Sequence, residues 1–413
     1  MRARDSASVR IAALFLLAAL PRLAYLFILR PEFDTAYWAL SESLLRDGSI
    51  AVNGVRSTDY DPLYPIFLAS LRLIARHHIV VVQALQVLVA SVGAPLVDRL
   101  ARSLTGSARI GMLAAACYAC DLLLIRQSAA EGPLMLVTVL VLAWAVWFVE
   151  AVTPADGVKA GVALGLAVLA RAIALPLVVL AAILRVIDPR DSRNSRDSGN
   201  SRASRVWLAI VSTTMAAALI LLLPLRNHSV NGSWWPTRSG INLFIGNSPY
   251  TAQLLPAYDL DLLQPLAGAE ADEVLTRRAL DYMKEDPRRT LREKAMNLVY
   301  VFWPPLVPRT IALEQTSVAV DPSGAITVIN PVERPALEVI PYSLWYAGVL
   351  AAAAAGVMIR RRELRRDGVL WSVVATFAAA QVVYFPATRY RAPMEFVLLF
   401  YAAVTIDRVV ARR

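Results

Sequence analysis

Two acidic residues stand where apolar stretches of the sequence end or begin. Asp34 follows the first apolar stretch, in FDTAYWAL, and Glu131 precedes a later one, in AAEGPLML. A carboxylate at a membrane–water boundary can accept a proton from an attacking hydroxyl, which is general base catalysis. The same positions suit a helix N-cap for Asp34 and a favourable acid at a helix start for Glu131. The sequence alone leaves both interpretations open.

A second acidic and aromatic group follows Asp34 in the same stretch between apolar segments. Asp59, Tyr60 and Asp61 precede the sequence PLYP, which contains Tyr64. Two acids within three residues can bind a polar substrate, and we expect Tyr60 and Tyr64 to line such a site. The alternative is that the tyrosines are anchors at the membrane interface.

Four arginines are candidates for binding a phosphate. Arg389 and Arg391 flank Tyr390 in TRYRAPMEF, at the outer end of a predicted span, and Arg226 and Arg171 also follow apolar stretches. Positive charge outside runs against the usual cytoplasmic bias, and a lipid phosphate would explain it. For Arg171, an ion pair with Glu131 or a capping role in a short hairpin remains an alternative.

The stretch 224–249, PLRNHSVNGSWWPTRSGINLFIGNSP, is dense in Asn, Gly, Ser and Trp. This composition predicts a loop that presents hydrogen-bonding groups and stacking rings, as a sugar site requires. Asn227, Asn242 and Asn247 are its candidate binding residues. An ordinary irregular surface loop is the alternative.

Several classes of chemistry have no support in the sequence. Cys117 and Cys120 lie within an apolar stretch with no histidine or second pair nearby, so no metal site is predicted there. Phosphate-binding P-loops, dinucleotide fingerprints and nucleophile elbows do not occur. The net charge of +10 reflects basic loops and does not indicate nucleic acid. No cofactor is indicated with certainty, and a divalent metal stays open.

The elements that must position these residues are predicted to be transmembrane helices. Of the 413 residues, 57% are hydrophobic, and the mean hydropathy is +0.52. Apolar blocks of about 17–25 residues match a hydrocarbon core of about 30 Å. Including shorter blocks, we predict an all-α polytopic membrane protein of about ten spans, over residues 9–29, 79–98, 109–126, 133–150, 158–170, 172–187, 206–225, 341–359, 369–386 and 393–409.

The distribution of the arginines decides whether residues 62–75 are counted as a span. If 62–75 is a juxtamembrane helix, the arginine clusters near 99–109, 185–205, 360–366 and 408–413 fall on the side of the N-terminus. The positive-inside rule then places both termini in the cytoplasm. Arg22, within the first span, is expected to snorkel or to face protein.

Three modules follow from this topology. Residues 1–225 form an N-terminal transmembrane module, with juxtamembrane helices in a first outer loop at 30–78 and a polar Arg/Ser linker at 188–205. Residues 226–340 form a small α-rich outer region, and 341–413 are the C-terminal transmembrane helices. The spacing of Gly157, Gly161 and Gly165 predicts close helix packing.

These segments, in this order, resemble bacterial membrane glycosyltransferases of the GT-C class. The protein O-mannosyltransferase and lipid A aminoarabinose transferase families are the most similar in pattern. The resemblance covers nearly the whole chain. Its elements are FDTAYWAL, YDPLYPIFLA, Glu131, LGLAVLARAIAL, the 224–249 stretch, an amphipathic segment RRALDYMKEDPRRTLREKAMNLVYVFW, and TRYRAPMEF.

The resemblance implies transfer of a sugar from a polyprenyl phosphate donor to a lipid, glycan or protein acceptor. It implies an extracytoplasmic active site in a bacterial inner membrane, with Asp34 as the catalytic carboxylate. Membrane lipids are expected partners. Thr35 stands where many relatives carry a second acid, which counts against a paired-carboxylate scheme. The alternatives are a polytopic transporter or flippase and a non-catalytic scaffold of envelope glycan assembly.

Overall fold

The computed structural model describes residues 2–31, 33, 36–52, 54–187, 202–234, 238–248, 268–307, 310–311, 317–320, 326–329 and 332–412. Each of the ten apolar segments predicted as a span forms helix. The helices are α1 (Arg2–Leu29), α2 (Ala36–Asp47), α3 (Leu63–Ile74), α4 (Ile79–Ser91), α5 (Gly93–Thr105), α6 (Ala108–Cys120), α7 (Leu122–Ala129), α8 (Leu134–Glu150), α9 (Pro154–Ala170), α10 (Leu175–Ile187), α11 (Arg202–Ile220), α12 (Leu222–Asn231), α13 (Ser239–Gly246), α14 (Gly268–Glu285), α15 (Pro287–Val301), α16 (Ala336–Ile359), α17 (Gly368–Val383) and α18 (Ala392–Val410).

Within the described residues, four helical stretches are long and apolar enough to cross a bilayer unaided. They are 8–29, 79–105, 203–231 and 336–359. A fifth arises if α6 and α7, which meet at 55°, count as one broken span. Shorter apolar helices cover 63–74, 134–150, 172–187 and 368–383. The protein is therefore a predominantly helical, multi-pass membrane protein.

The break between α6 and α7 has a local cause. Asp121 adopts an extended conformation and accepts a hydrogen bond from the Leu124 amide, so it ends one helix and caps the next. Arg22 of α1 is fully buried and donates to the carbonyl oxygens of Tyr118 and Ala119. The break leaves these two oxygens without an intrahelical hydrogen-bond donor. Arg22 thus faces protein, as one of its two predicted placements required.

The glycine stripe on α9 packs against α11, which confirms the predicted close contact. A Cβ atom built on Gly161 would lie 2.4 Å from the Ser212 carbonyl oxygen, and one on Gly165 would lie 2.9 Å from the Leu219 Cβ. Only glycine permits this approach of the two backbones.

Residues 30–78, the predicted first outer loop, contain α2 and α3, as predicted, together with a hairpin of β1 (Ala51–Val52) and β2 (Val55–Arg56). At a rise of about 1.5 Å per residue, the 12 residues of α3 extend about 18 Å. This is shorter than the hydrocarbon core.

The prediction of a loop over 224–249 is wrong for most of its described part. α12 continues from α11 through the apolar run at 220–225 and ends at Gly232, whose φ of 74° is left-handed. α13 covers Ser239–Gly246 and packs on α14, where a Cβ on Gly240 would lie 2.1 Å from the Asp272 carbonyl oxygen.

The later outer region is not purely helical. After α13–α15 come four short strands: β3 (Thr310–Ile311) pairs antiparallel with β6 (Val332–Glu333), and β4 (Ser317–Val320) pairs with β5 (Ile326–Ile329). The prediction of an α-rich region here did not include these strands. Strands of two to four residues are too short to show an alternating pattern. The linker at 188–205 lies almost wholly outside the described residues.

Candidate functional site

The first outer loop forms an aromatic wall. The ring of Tyr37, on α2, lies 5.3 Å from the ring of Tyr60 and 5.0 Å from that of Tyr64, edge to face in both cases. Tyr64 is buried on α3. Edge-to-face packing orders rings beyond their burial alone, so α2, α3 and the segment before α3 form one rigid wall.

Helix α12 anchors this wall from the other side. Arg226 donates a hydrogen bond to the Tyr60 carbonyl oxygen at 3.0 Å and another to the Ser57 carbonyl. Asn231 donates to the Thr58 hydroxyl at 2.8 Å. Arg226 was predicted to bind phosphate. The structure places its guanidinium on the backbone of the 57–60 segment, beside the acids Asp59 and Asp61.

A cavity of about 750 Å³ opens in front of the wall, and we name it the Arg171 cavity. Its polar part combines groups that are far apart in the sequence. Its apolar part is a trough between α10 and α17, formed by Leu175, Val179 and Ala379 among others. The polar lining residues are Asp59, Asp61, Arg171, Arg238, Ser239, Asn242, Thr376, Gln381, Tyr384 and Tyr390.

Asp61 and Arg171 are the electrostatic pair of this cavity. The Asp61 carboxylate accepts a hydrogen bond from the Ala172 amide, at the 3₁₀ turn that follows Arg171. Burial raises the pKa of Asp61 to about 6, although the positive charges of Arg171 and Arg226 oppose that rise. Arg171 also donates to the hydroxyl of Tyr37. The aromatic wall thus fixes the guanidinium.

Tyr390 closes the polar end of the cavity. Burial acts to raise the pKa of its hydroxyl, but the guanidinium groups of Arg389 and Arg171 outweigh it and lower the pKa below the usual value. A more acidic phenol is a stronger hydrogen-bond donor to an anion. Arg238, over the ring of Tyr60 at 5.0 Å, adds another cation to the same end.

A second cavity, of about 930 Å³, lies next to the first, and we name it the Glu131 cavity. Glu131 and Arg389 line it, together with Tyr25 of α1. Phe385 lies in the walls of both cavities. Arg389 lines the second cavity, whereas its neighbour Tyr390 lines the first. The segment 385–390 therefore separates the two.

Buried hydrogen bonds hold the Glu131 segment in place. The Gly132 amide donates to the Tyr64 hydroxyl at 2.8 Å, and that hydroxyl donates to Gln86 Oε1 at 2.8 Å. Gln86 Nε2 donates to the carbonyl oxygens of Ser128 and Ala130. Tyr64 thus stabilises the segment that carries Glu131, and it lines neither cavity.

An ion cluster lines part of the Glu131 cavity. Arg126 of α7 forms an ion pair with Glu338 of α16, and Arg334 lies 3.2 Å from the same carboxylate. With Arg389, three guanidinium groups line this cavity against the two carboxylates Glu131 and Glu338. The cavity therefore has a net positive lining.

Besides Tyr64, three further predicted residues lie in the interior and line neither cavity. Asn227 is fully buried, and its amide atoms have no hydrogen-bond partner among the described residues. Asn247 donates to the Leu243 and Val383 carbonyls. Arg391 is buried over the ring of Tyr346 at 3.7 Å. Asp34, the predicted catalytic carboxylate, lies outside the described residues.

Sequence reasoning missed three residues of interest. Arg238 lies within the 224–249 stretch and Tyr37 lies within FDTAYWAL, but neither is among the predicted site residues. Glu395 is fully buried one turn after Arg391, and its carboxylate oxygens have no hydrogen-bond partner among the described residues. Its signal was an acid inside the quoted TRYRAPMEF, at the start of a span.

No group of three or more His, Cys, Asp or Glu side chains able to hold a metal occurs in the part of the chain that the structure describes. Asp59 and Asp61 line one cavity, but Arg171 and Arg226 lie beside them. Two guanidinium groups oppose the approach of a divalent cation.

Comparisons with known proteins agree with this architecture. Among solved structures, the oligosaccharyltransferase AglB from Archaeoglobus fulgidus, in complex with an inhibitory peptide and a dolichol-phosphate, matches with a TM-score of 0.53 at 13% identity. The match covers 97% of this chain and 50% of AglB, so this chain spans about half the length of that relative. At this identity the similarity concerns the fold alone.

ArnT from Cupriavidus metallidurans, bound to undecaprenyl phosphate, matches with a TM-score of 0.44 at 15% identity, over 97% of this chain and 78% of ArnT. No curated protein matches the sequence significantly. The family model described as dolichyl-phosphate-mannose-protein mannosyltransferase matches residues 59–221, which include Asp59, Asp61, Glu131 and Arg171. The match covers less than half of the chain, and residues 59–221 are similar to this family of membrane glycosyltransferases.

Proposed function

We propose that the protein transfers a sugar from a polyprenyl phosphate donor to an acceptor on the extracytoplasmic face of a bacterial inner membrane. The observation that carries the proposal is the composition of the Arg171 cavity. One end holds Arg171, Arg238 and Tyr390, and an apolar trough between α10 and α17 leads away from it. A lipid-linked phosphate needs the cationic end for its phosphate and the apolar trough for its lipid chain.

The polar end fits a phosphate and a sugar together. Arg171 and Arg238 provide the positive charge for the phosphate, and the acidified hydroxyl of Tyr390 provides a hydrogen bond. Asp59 and Asn242 line the same space and supply acceptors and donors for sugar hydroxyl groups. The prenyl chain lies along Leu175, Val179 and the facing residues of α17.

The reaction is a single displacement at the anomeric carbon. The acceptor hydroxyl oxygen forms the new bond while the bond from the anomeric carbon to the phosphate oxygen breaks. The leaving phosphate keeps the electron pair as a stable anion, so the main proton transfer is from the acceptor to a base. We assign that base to Asp34, with Glu131 as a second acidic group that orients the acceptor.

The acceptor enters through the Glu131 cavity. This cavity adjoins the Arg171 cavity across Phe385, and Glu131 and Arg389 both line it. Two separate entrances suit a reaction between two bulky substrates. Whether the acceptor is a lipid, a glycan or a protein is for the experiment to identify.

We further propose ten membrane spans with both termini in the cytoplasm. The ten predicted segments are all helical, and counting α3 as an eleventh span would move most of the arginine clusters to the outside, against the positive-inside rule. This arrangement places the Arg171 and Glu131 cavities at the outer ends of the spans. The division into modules at residues 225 and 340 belongs to the same proposal.

The test is donor turnover by the purified protein in nanodiscs. Polyprenyl phosphates carrying mannose, galactose, glucose or aminoarabinose are offered separately, and loss of donor is followed by mass spectrometry. Wild type is compared with Asp34→Asn and with the control Asp47→Asn, which changes an exposed acid of α2 that pairs with its neighbour Arg46. We expect one donor to be consumed by wild type and by the control, and not by Asp34→Asn.

Three other outcomes of the donor turnover assay would contradict parts of this proposal. Equal turnover by Asp34→Asn would exclude Asp34 as the base and transfer that role to Glu131. Consumption of no donor, with no donor-dependent rise in melting temperature, would contradict the proposed function and favour a scaffold. Movement of intact donor across the bilayer without cleavage would favour a flippase.

A further inference from the structure

Helix α15 carries an exposed apolar stripe that the glycosyl transfer proposal does not use. Leu291, Leu298 and Val299 are 73%, 50% and 47% exposed, and Ala295 between them is also exposed. Trp303, just past the helix end, is 42% exposed. Residues three or four apart share one face of a helix, so these side chains form a continuous surface.

An adjacent side of α15 packs against the end of α17. Asn297 donates to the Val382 carbonyl oxygen at 3.2 Å, and Lys294 donates to the Val383 carbonyl oxygen at 3.0 Å. Val301 is buried, and its carbonyl accepts from Arg391 at the start of α18. α15 therefore runs past the end of α17, which lines the Arg171 cavity, and past the start of α18.

Two arginines flank the apolar stripe. Arg288 and Arg292 are exposed and one helical turn apart, which places them beside Leu291. Neither guanidinium has an ion-pair partner among the described residues, whereas Arg289 contacts Tyr282 and Glu285 on the inner side. The exposed face thus changes from basic at its first turns to apolar at its last turns.

An apolar face flanked by arginines and followed by a tryptophan suits the boundary between lipid headgroups and acyl chains. We propose that α15 lies in the outer headgroup region of the bilayer, with Leu298 and Val299 toward the acyl chains. In this position Arg288 and Arg292 bind the phosphodiester of an anionic phospholipid. The occupant of this face is therefore lipid, and not a second protein.

The depth of α15 is measured by spin labelling. A nitroxide is attached to Leu298→Cys in a background in which Cys117 and Cys120 are replaced by serine, and the protein is placed in nanodiscs of phosphatidylcholine and phosphatidylglycerol. We expect collisions with oxygen to exceed collisions with a water-soluble nickel chelate. The control is Arg278→Cys, at an exposed position of α14, where the nickel chelate should dominate. Equal nickel accessibility at both positions would overturn the proposal.

The charge contribution is measured in the same nanodiscs. The selectivity for spin-labelled phosphatidylglycerol over phosphatidylcholine is determined for wild type, for Arg288→Gln with Arg292→Gln, and for the matched pair Arg277→Gln with Arg278→Gln on α14. Removing a basic residue near an anionic surface lowers the association constant about fivefold. We expect this loss for each arginine of α15 and no change for the α14 pair. Unchanged selectivity in the α15 variant would contradict the lipid assignment, independently of donor turnover.

Discussion

The hydroxyl of Tyr64 accepts a hydrogen bond from the backbone amide of Gly132 at 2.8 Å, across 68 residues of sequence. Through this bond and the one it donates to Gln86, α3 holds the segment that carries Glu131. The first outer loop and the acid that precedes α8 are therefore parts of one unit, although they lie in different predicted segments.

Tyr64→Phe tests this link. The substitution keeps the ring and leaves the Gly132 amide and Gln86 Oε1 without their partner, which costs about 1–3 kcal/mol for a buried group. We expect a lower melting temperature and slower acceptor-dependent donor consumption. Tyr60→Phe is the control, because the Tyr60 hydroxyl has no hydrogen bond among the described residues. Equal melting temperatures for the two variants would refute the structural role of the Tyr64 hydroxyl.

Arg226→Lys separates an anchoring role from direct phosphate binding. A lysine ammonium cannot reproduce the fork that bonds the Ser57 and Tyr60 carbonyls. We expect trypsin to cleave faster after Arg56, in the neighbouring strand, relative to cleavage after Arg46 in α2. A rise in the donor KM with an unchanged cleavage ratio would instead mean that Arg226 binds the donor.

The raised pKa of Asp61 predicts a pH-dependent stability. Between the ordinary value of 3.8 and about 6, the folded protein keeps a proton that the unfolded chain has released. Stability from this group is therefore lost as the pH rises through that window. We expect the melting temperature of wild type, relative to Asp61→Asn, to fall from pH 4 to pH 7. A difference that stays constant over this range would show that Asp61 ionises without a cost from burial.

The packing of α9 on α11 gives a matched pair of variants. A Cβ on Gly161 meets a backbone oxygen at 2.4 Å, whereas one on Gly157 meets its nearest atom at 3.4 Å, an ordinary contact. We expect Gly161→Ala to destabilise the protein by about 1–3 kcal/mol, as overpacking does. Gly157→Ala should be neutral or slightly stabilising, because alanine favours helix. Chemical unfolding in detergent compares the two, and equal losses would mean that the helices separate easily.

The sequence predicted the helices well because a membrane span must satisfy its backbone internally and be apolar over a fixed length. Every segment from 9–29 to 393–409 formed helix. The close packing at the glycine stripe of α9 was also predictable, because small residues on one face of a span let a second helix approach closely.

The site was harder to predict because it depends on long-range placement. Nothing near Arg226 in the sequence shows that its guanidinium bonds the carbonyls of Ser57 and Tyr60. Arg391 was predicted to bind phosphate together with Arg389, because both arginines stand at the outer end of a predicted span. The structure instead buries Arg391 over the ring of Tyr346. Arg238 was overlooked because its position in front of Tyr60 arises only from the packing of α13.

The partition at Phe385 has a kinetic consequence. Since Phe385 is the one described residue that lines both cavities, we expect that neither substrate has to pass through the space of the other. Under the proposed assignment, spent carrier can diffuse back into the bilayer while the glycosylated acceptor is still bound. Initial-rate plots against either substrate should then intersect, with no compulsory order of addition, and excess carrier should compete with donor without competing with acceptor.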